Sequence, residues 1–539
     1  MMPNRLDSFF RSLTGRRAFL FSFAFGFMVR LIPEILSYPW LIGFDTPYYA
    51  VRVRNGVLWS DVTSIFSMWL LDGLLIGVQR VSQIDTFLLL KLVGPFLFAL
   101  NAAGIYYFCR RALCWNSSTS LIAVFVFTFQ IATLRLSWDL FRNLLGLFIL
   151  LFSLPLLKSL GNRRSFVLLM VLSILMVFAH FLVTAILLFI GLIIALKEML
   201  VGRTKAGLTV VGAFLPLIVL SVIIAFFHPE LPKAQPIMQL VDEKAVRPGG
   251  LFFMIDYLSV STGHQIYASY ATLAAHILSL FVFLYVLYVP LIYVGFFKDR
   301  ILTPWTLLLL VGSFGALASP FFALDLWDRW MFMLVYPFTF YAANGVQKVL
   351  KAASQLYEGR RSLVFGCSSR LPVWLKLSRR KILGMVCIAV ALGTLFMVTP
   401  PFLDRFGFFQ IPTIVSYVPS TMQYSTIPLR DMKSAVEVLM WLNHQMTQNS
   451  ALVVHHAFFW WAKFYLDSEW VIISFVRDIN KAVLTAQELG YQVIYTVWWN
   501  EGFVTWQNEN IGWYGFTLPP YFSARYSVDR ITAYQFAAS

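Results

Sequence analysis

Long apolar runs, separated by short clusters of basic residues, dominate the first 400 positions of this chain. A helix needs about 20 apolar residues to cross the hydrocarbon core of a bilayer, and windows of that length predict about eleven crossings. These windows lie near 18–36, 86–108, 117–135, 143–160, 164–179, 181–198, 207–227, 272–297, 302–323, 330–350 and 382–400. The predicted fold class is therefore mainly α, a polytopic transmembrane helical bundle in residues 1–400.

A further apolar segment, 63–80, is long enough to be another crossing. Counting it would place the basic clusters of later loops on the side opposite to the basic N-terminus, against the positive-inside rule. We interpret 63–80 as an interfacial or half-inserted helix that Asp72 interrupts. With the N-terminus cytoplasmic, the outer loops are then 37–85 and 228–271, and everything after 401 is extracytoplasmic.

The pattern changes after residue 401, where apolar positions alternate with polar ones over shorter distances. Helical and strand-like segments alternate, which predicts a small extracytoplasmic α/β domain in residues 401–539. The predicted elements are a helix at 428–447, a strand at 451–461 (ALVVHHAFFWW), a strand at 470–476, a helix at 479–489, a strand at 491–497 and aromatic strands to the end.

Composition agrees with a membrane protein, since 59% of the 539 residues are hydrophobic and only 13% are charged. The formal charge of +16 could suggest nucleic-acid binding. However, the basic residues lie in short clusters between apolar segments, as orientation signals do. We therefore expect an integral, multi-pass protein of the lipid bilayer with no nucleic-acid partner.

Asp45 is the first candidate for chemistry, in the sequence GFDTPYY (43–49) just after the first predicted crossing, with Arg52 following. A carboxylate at the mouth of a membrane bundle has a high desolvation cost and usually serves chemistry or ion passage. Its position in a turn before a proline would aim it at a cleft. Capping of a helix or turn is an equal alternative for this residue.

Asp139 lies between Arg135 and Arg142 in a short turn predicted on the same side. Two carboxylates on separate outer loops could share a divalent cation, Mg²⁺ or Mn²⁺, if further oxygen ligands complete its shell. Asp45 and Asp139 are therefore candidate metal ligands. A salt-bridged Asp139 without a metal is the alternative, because two arginines flank it.

Arg329 lies at the outer end of a predicted crossing, where a guanidinium could bind a phosphate or pyrophosphate bidentately. An interfacial anchor neutralised by Asp328 is the equal alternative. His264 and Gln265 lie late in the long outer loop and could close over a substrate, or could be ordinary polar loop residues. His180 interrupts an apolar run, and we interpret it as a hairpin residue rather than a catalyst.

These motifs together resemble the catalytic subunit of oligosaccharyltransferase of the archaeal and eukaryotic type. GFDTPYY with Arg52 is similar to the first-loop signature of that family, the turn at Asp139 resembles its second acidic motif, and LSVSTGHQ (258–265) resembles its Ser-Val-Ser-Glu-His-Gln loop. Three features depart from the family: the second carboxylate after Asp139, the glutamate of the long loop and the Trp-Trp-Asp acceptor motif. The resemblance therefore implies the general plan of the GT-C glycosyltransferases.

That plan implies transfer of a sugar or oligosaccharide from a polyprenyl-phosphate donor to a protein or glycan acceptor at the outer face. Asp45 is the implied catalytic residue, and the divalent cation and accessory subunits stay open. The implied residues for substrate or phosphate are Arg329, Arg52, Tyr48, His264 and Gln265. Two alternatives remain: an inactive relative that acts as a scaffold, suggested by the lost carboxylates, and a transporter of lipid-linked or small solutes, which would need ionisable residues in mid-bilayer.

Overall fold

A computed structural model describes residues 15–56, 58, 63–227, 270–318, 327–357, 379–402, 426–475, 478–500 and 518–536. The described part is mainly helical up to residue 402, which confirms that the fold is mainly α. Its helices are α1 (Gly15–Leu36), α2 (Thr46–Asn55), α3 (Leu70–Ser82), α4 (Thr86–Arg111), α5 (Ser117–Thr128), α6 (Ile131–Asp139), α7 (Phe141–Leu156), α8 (Arg163–Ala179), α9 (Phe181–Leu200), α10 (Thr204–Phe227), α11 (Tyr270–Tyr285), α12 (Val289–Gly295), α13 (Leu302–Ala318), α14 (Trp327–Met333), α15 (Val335–Tyr357) and α16 (Arg379–Phe402), with a short 3₁₀ turn at Thr63–Phe66.

Within the described ranges, four helices are long and apolar enough to cross a membrane: α1, α4, α9 and most of α10. The count rises to six if two bent pairs each form one crossing, α5 with α6 (65°) and α11 with α12 (73°). The structure is thus compatible with a membrane protein, while the eleven crossings stay a prediction. The predicted helices at 117–135, 272–297 and 330–350 are each broken, because hydropathy windows register composition and not the backbone.

The segment 63–80 forms the short turn and then α3, which has 13 residues. A helix of this length is shorter than the roughly 20 residues of a crossing, which is compatible with an interfacial or half-inserted helix. The prediction that Asp72 interrupts this helix is wrong, because Asp72 lies within the first turn of α3. It is fully buried against two arginines, so a tertiary interaction explains the acid.

Helix α1 packs closely along α4 because small residues line the contact. A Cβ atom at Gly26 would lie 2.8 Å from the Cβ of Ala102 and 3.3 Å from the Cα of Ala99. Such close backbone approach is typical of membrane helix pairs. The pairing brings the ends of α1 and α4 together and fixes where the chain leaves the bundle toward Asp45.

The C-terminal region contains three helices, α17 (Leu429–Gln445), α18 (His456–Tyr465) and α19 (Ile479–Glu488). Its strands are β1 (Ser450–His455), β2 (Val471–Phe475), β3 (Val493–Trp499), β4 (Phe522–Val528) and β5 (Ile531–Phe536). They form a sheet of order β2-β1-β3-β5-β4, in which β1 pairs in parallel with β2 and β3, and β5 pairs antiparallel with β3 and β4.

One predicted element in this region is wrong in its second half. The segment 451–461 is a strand only as far as His455, and α18 begins at the next residue. The imidazole Nδ1 of His455 accepts a hydrogen bond from the backbone N–H of Ala457 at 3.1 Å and so caps the helix. A short, wholly apolar run has no periodicity that separates a buried strand from a buried helix.

Helix α18 packs on α2 and on the first turn of α4. The rings of Tyr48 and Trp460 lie edge to face, 4.8 Å apart, and those of Phe87 and Phe464 lie 4.7 Å apart. Arg54 donates hydrogen bonds to backbone carbonyls at the end of α18 and just beyond it. The C-terminal domain therefore covers the end of the bundle where Asp45 lies.

Candidate functional site beside Asp45

The loop that carries Asp45 is pressed against the end of α6. Gly43 has a φ of +98°, and a Cβ atom there would lie 2.5 Å from the carbonyl oxygen of Trp138 and 2.7 Å from the Cβ of Asp139. The hydroxyl of Thr46 donates to the carbonyls of Ile42 at 2.5 Å and Trp138 at 3.1 Å. Only glycine fits at position 43, and the close contact fixes the path of the next two residues.

Gly43→Ala should therefore destabilise the protein by about 1–3 kcal/mol, because it adds a strained φ and a steric clash. Thermal unfolding of the purified protein measures this effect. The matched control is Gly77→Ala in α3, where a Cβ atom would meet nothing within 4 Å. Equal unfolding temperatures for the two variants would contradict the tight contact between the loop and α6.

Asp139 is buried, and both of its carboxylate oxygens are already bound. Oδ1 accepts from the guanidinium of Arg135 at 2.6 Å, and Oδ2 accepts from the backbone N–H of Phe44 at 2.8 Å. The predicted ion pair of Asp139 with a flanking arginine is thus observed. Through Phe44, this side chain holds the loop of Asp45 in place.

Asp45 differs from Asp139 in that its carboxylate is uncommitted. It precedes α2 but does not cap it, and it receives no hydrogen bond or ion pair from any residue that the structure describes. The side chain is partly exposed, yet the surrounding protein desolvates it, and this raises its pKa to about 6. The negative charge of Asp139 raises the pKa further, while Arg329, Arg135 and Arg142 lower it.

Arg329 lies in the first turn of α14 and is partly exposed. Its charge lowers the pKa of Asp45, but the two side chains form no ion pair in the described part of the chain. Within the described ranges the guanidinium has no hydrogen-bonding partner. Asp328 accepts a hydrogen bond from the backbone N–H of Arg329 at 2.9 Å. Burial raises the pKa of Asp328, while the charge of the neighbouring Arg329 lowers it, so the alternative in which Asp328 neutralises Arg329 stays open. A carboxylate and a guanidinium therefore share one region without pairing.

A second acid, Asp72, organises the cationic side of this region. Its Oδ2 accepts from Arg142 at 2.8 Å and from Arg52 at 3.2 Å. Its Oδ1 is buried without a partner among the described residues. Arg142 also donates to the hydroxyl of Tyr48 at 3.1 Å and lies 5.5 Å from the centre of that ring. Arg52 is thus buried in an ion pair, and Tyr48 contacts both Arg142 and Trp460.

The charges of Asp139 and Arg329 both act on the carboxyl of Asp45. Tyr48 binds Arg142, whereas Arg52 is buried in its ion pair with Asp72. His264 and Gln265 lie outside the described residues. The sequence analysis did not assign Asp72 and Arg142 to this charged region, although Asp72 binds Arg142 and Arg142 acts on Asp45. A lone acid in an apolar segment was the available signal for Asp72, since such a residue needs buried partners.

The residues present do not fit the divalent cation that the resemblance suggests. Both oxygens of Asp139 are occupied by protein donors, which leaves Asp45 as a single ligand. The described ranges contain no group of three or more His, Cys, Asp or Glu side chains that could hold a metal ion.

No protein-family model matches this sequence, and no curated protein is significantly similar to it. The structure defines a mainly helical chain with several apolar helices, a C-terminal α/β domain and a charged site between them.

Proposed function

We propose that this protein is a membrane glycosyltransferase of the GT-C type. It transfers a sugar or oligosaccharide from a polyprenyl-phosphate donor to a protein or glycan acceptor. The observation that supports this most is the pair Asp45 and Arg329, two opposite charges that interact but form no ion pair with each other in the described part of the chain. Charges held this way cost stability, which is typical of groups kept for a ligand.

The reaction follows from the properties of these two side chains. The polyprenyl tail stays in the bilayer while its phosphate lies against Arg329, whose planar fork matches phosphate oxygens. Asp45, ionised above about pH 6, accepts the proton of the acceptor hydroxyl or amide as that group attacks the anomeric carbon. The bond between that carbon and the phosphate oxygen breaks, and the phosphate leaves as an anion stabilised by Arg329.

The extracytoplasmic placement of the site belongs to the same proposal. Basic residues at the N-terminus favour a cytoplasmic start, and α1 then carries the chain to the other face. The contact of Tyr48 with Trp460 supports a shared side for the first outer loop and the C-terminal domain. An acceptor would thus reach Asp45 beside α18.

A catalytically inactive relative that acts as a scaffold is the second candidate. The observation that favours it is the state of Asp139, whose two oxygens serve structure and not a metal or substrate. In that case Asp45 and Arg329 would bind a lipid-linked sugar without turning it over.

The test is transfer of labelled sugar from polyprenyl-phosphate donors, extracted from the expressing cells, to acceptor in reconstituted protein. Arg329→Met should lower kcat/KM by about 100-fold, because it removes a charge that stabilises the leaving phosphate. Arg329→Lys keeps the positive charge but not the planar guanidinium, so its kcat/KM should fall less than that of Arg329→Met.

The matched control is Arg163→Met, at an exposed arginine in the first turn of α8. Activity of Arg329→Met equal to that of wild type would contradict the phosphate role of Arg329. Binding of the donor by wild type with no turnover would favour the scaffold.

A further inference from the structure

His180 is held rigidly between two helices. It joins α8 to α9 in an extended conformation, its N–H donates to the carbonyl of Met176 at 2.9 Å, and its own carbonyl accepts from the hydroxyl of Thr184 at 2.9 Å. The side chain is 4% exposed and packs against Gly146 of α7, where a Cβ atom would lie 3.2 Å from its Cβ. The backbone and the packing fix where the imidazole lies.

The ring of His180 stacks on Phe181, with centroids 5.5 Å apart and an interplanar angle of 15°. Its Nδ1 is buried and has no hydrogen-bond partner in the part of the chain that the structure describes. A buried polar atom without a partner costs stability, so such an atom in a native structure needs an explanation.

Arg142 lies one helical turn before Gly146 on α7, the helix against which His180 packs. Burial, with the charges of Arg329 and Arg142, lowers the pKa of His180 to about 3. The imidazole is therefore uncharged at neutral pH and carries one N–H and one lone pair. Arg142 likewise has an unsatisfied hydrogen-bond donor, because its Nε is buried without a partner among the described residues.

We propose that His180 donates a hydrogen bond from Nδ1 to a phosphate oxygen of the lipid-linked donor, beside Arg142 and Arg329. The proposal rests on the proposed function and adds a specific binding residue to it. The ligand class is a phosphate ester with a polyprenyl tail. An uncharged donor fixes the orientation of the phosphate without adding a third positive charge that would slow its release.

The experiment measures binding of farnesyl phosphate to the purified full-length protein in detergent. His180→Phe keeps the stacking on Phe181 and removes both ring nitrogens, and it should weaken binding about tenfold. His180→Asn keeps an N–H donor and should stay within about threefold of wild type. His444→Phe, at an exposed position of the C-terminal domain, is the matched control and should not change the affinity.

Thermal unfolding separates binding from structure. His180→Phe removes a buried polar atom that has no partner, so its unfolding temperature should equal or exceed that of wild type. A lower unfolding temperature with equally weak binding in both His180 variants would assign this residue a structural role and overturn the proposal.

Further outcomes separate this proposal from the one on which it rests. If Arg329→Met weakens binding and His180→Phe binds like wild type, the His180 contact is wrong and the proposed function stands. If wild type does not bind farnesyl phosphate, both proposals fail. If inorganic phosphate displaces the probe at equal concentration, the site takes free phosphate, and the assignment to a lipid headgroup is wrong.

Discussion

Asp45→Asn should lower sugar transfer by about 10³-fold, because an amide cannot accept the proton that the acceptor loses. The substitution keeps the size of the side chain, and Asp45 makes no hydrogen bond with the described residues that would be lost. The measurement is single-turnover transfer at saturating donor, with the variant and wild type reconstituted at equal amounts.

The pKa of Asp45 also sets how activity and stability depend on pH. Its folded pKa is raised to about 6, so the folded protein holds this proton more tightly than the unfolded chain. The resulting stabilisation is present at low pH and is lost as pH rises through about 6, while activity rises over the same range. Asp45→Asn should therefore unfold at an equal or higher temperature than wild type at pH 7.5.

The matched control is Glu469→Gln, which removes an exposed carboxylate from the C-terminal domain. Transfer by this variant should equal that of wild type at every pH. Retention of more than a tenth of wild-type transfer by Asp45→Asn would remove this carboxylate from the chemistry, and a flat pH profile for wild type would exclude it as the base.

Glu34→Leu should destabilise the protein by about 3–5 kcal/mol, the cost of leaving buried charges without their partner. Glu34 pairs with Arg30 at 2.8 Å and with Lys91 at 3.3 Å, and all three side chains are at most 4% exposed. The substitution leaves two buried cations with no carboxylate. Thermal unfolding in detergent and the yield of folded protein both measure the loss.

The effect should extend to the site, because Arg30 also holds the end of α6. It donates to the hydroxyl of Ser137 at 2.6 Å and to the carbonyl of that residue at 3.0 Å, two positions before Asp139. The control is Glu437→Gln, which breaks an exposed pair with Lys433 and should cost no more than about 1 kcal/mol. Similar unfolding temperatures for Glu34→Leu and Glu437→Gln would show that the buried cluster contributes little.

Local signals explain why part of the site was predictable. Asp45 lies between a glycine and a proline just after an apolar run, and such a sequence predicts both a turn and its place at a helix end. Arg329 likewise follows from its position beside an aromatic pair at the end of an apolar run. Helices α17 and α19 carry clear helical periodicity and lie within a few residues of their predicted bounds. Strand β2, a short apolar run, also lies close to its predicted bounds.

The rest of the site depends on partners that are far apart in sequence. Asp72 binds Arg52 and Arg142, which lie 20 and 70 positions away, so a reading of its own segment finds only an acid in an apolar helix. The partners of Asp139 could not all be predicted from its own segment either, because one carboxylate oxygen binds the backbone N–H of Phe44, 95 positions away. Only the folded chain shows which carboxylate is committed and which is available.

The aromatic contact between α18 and α2 has a practical meaning for handling this protein. The rings of Trp460 and Phe464 contact those of Tyr48 and Phe87. A fragment cut near residue 401 would therefore expose an apolar aromatic surface that the other fragment covers in the intact protein. Expression of either piece alone should yield aggregates, and biochemical work is best done on the uncut polypeptide.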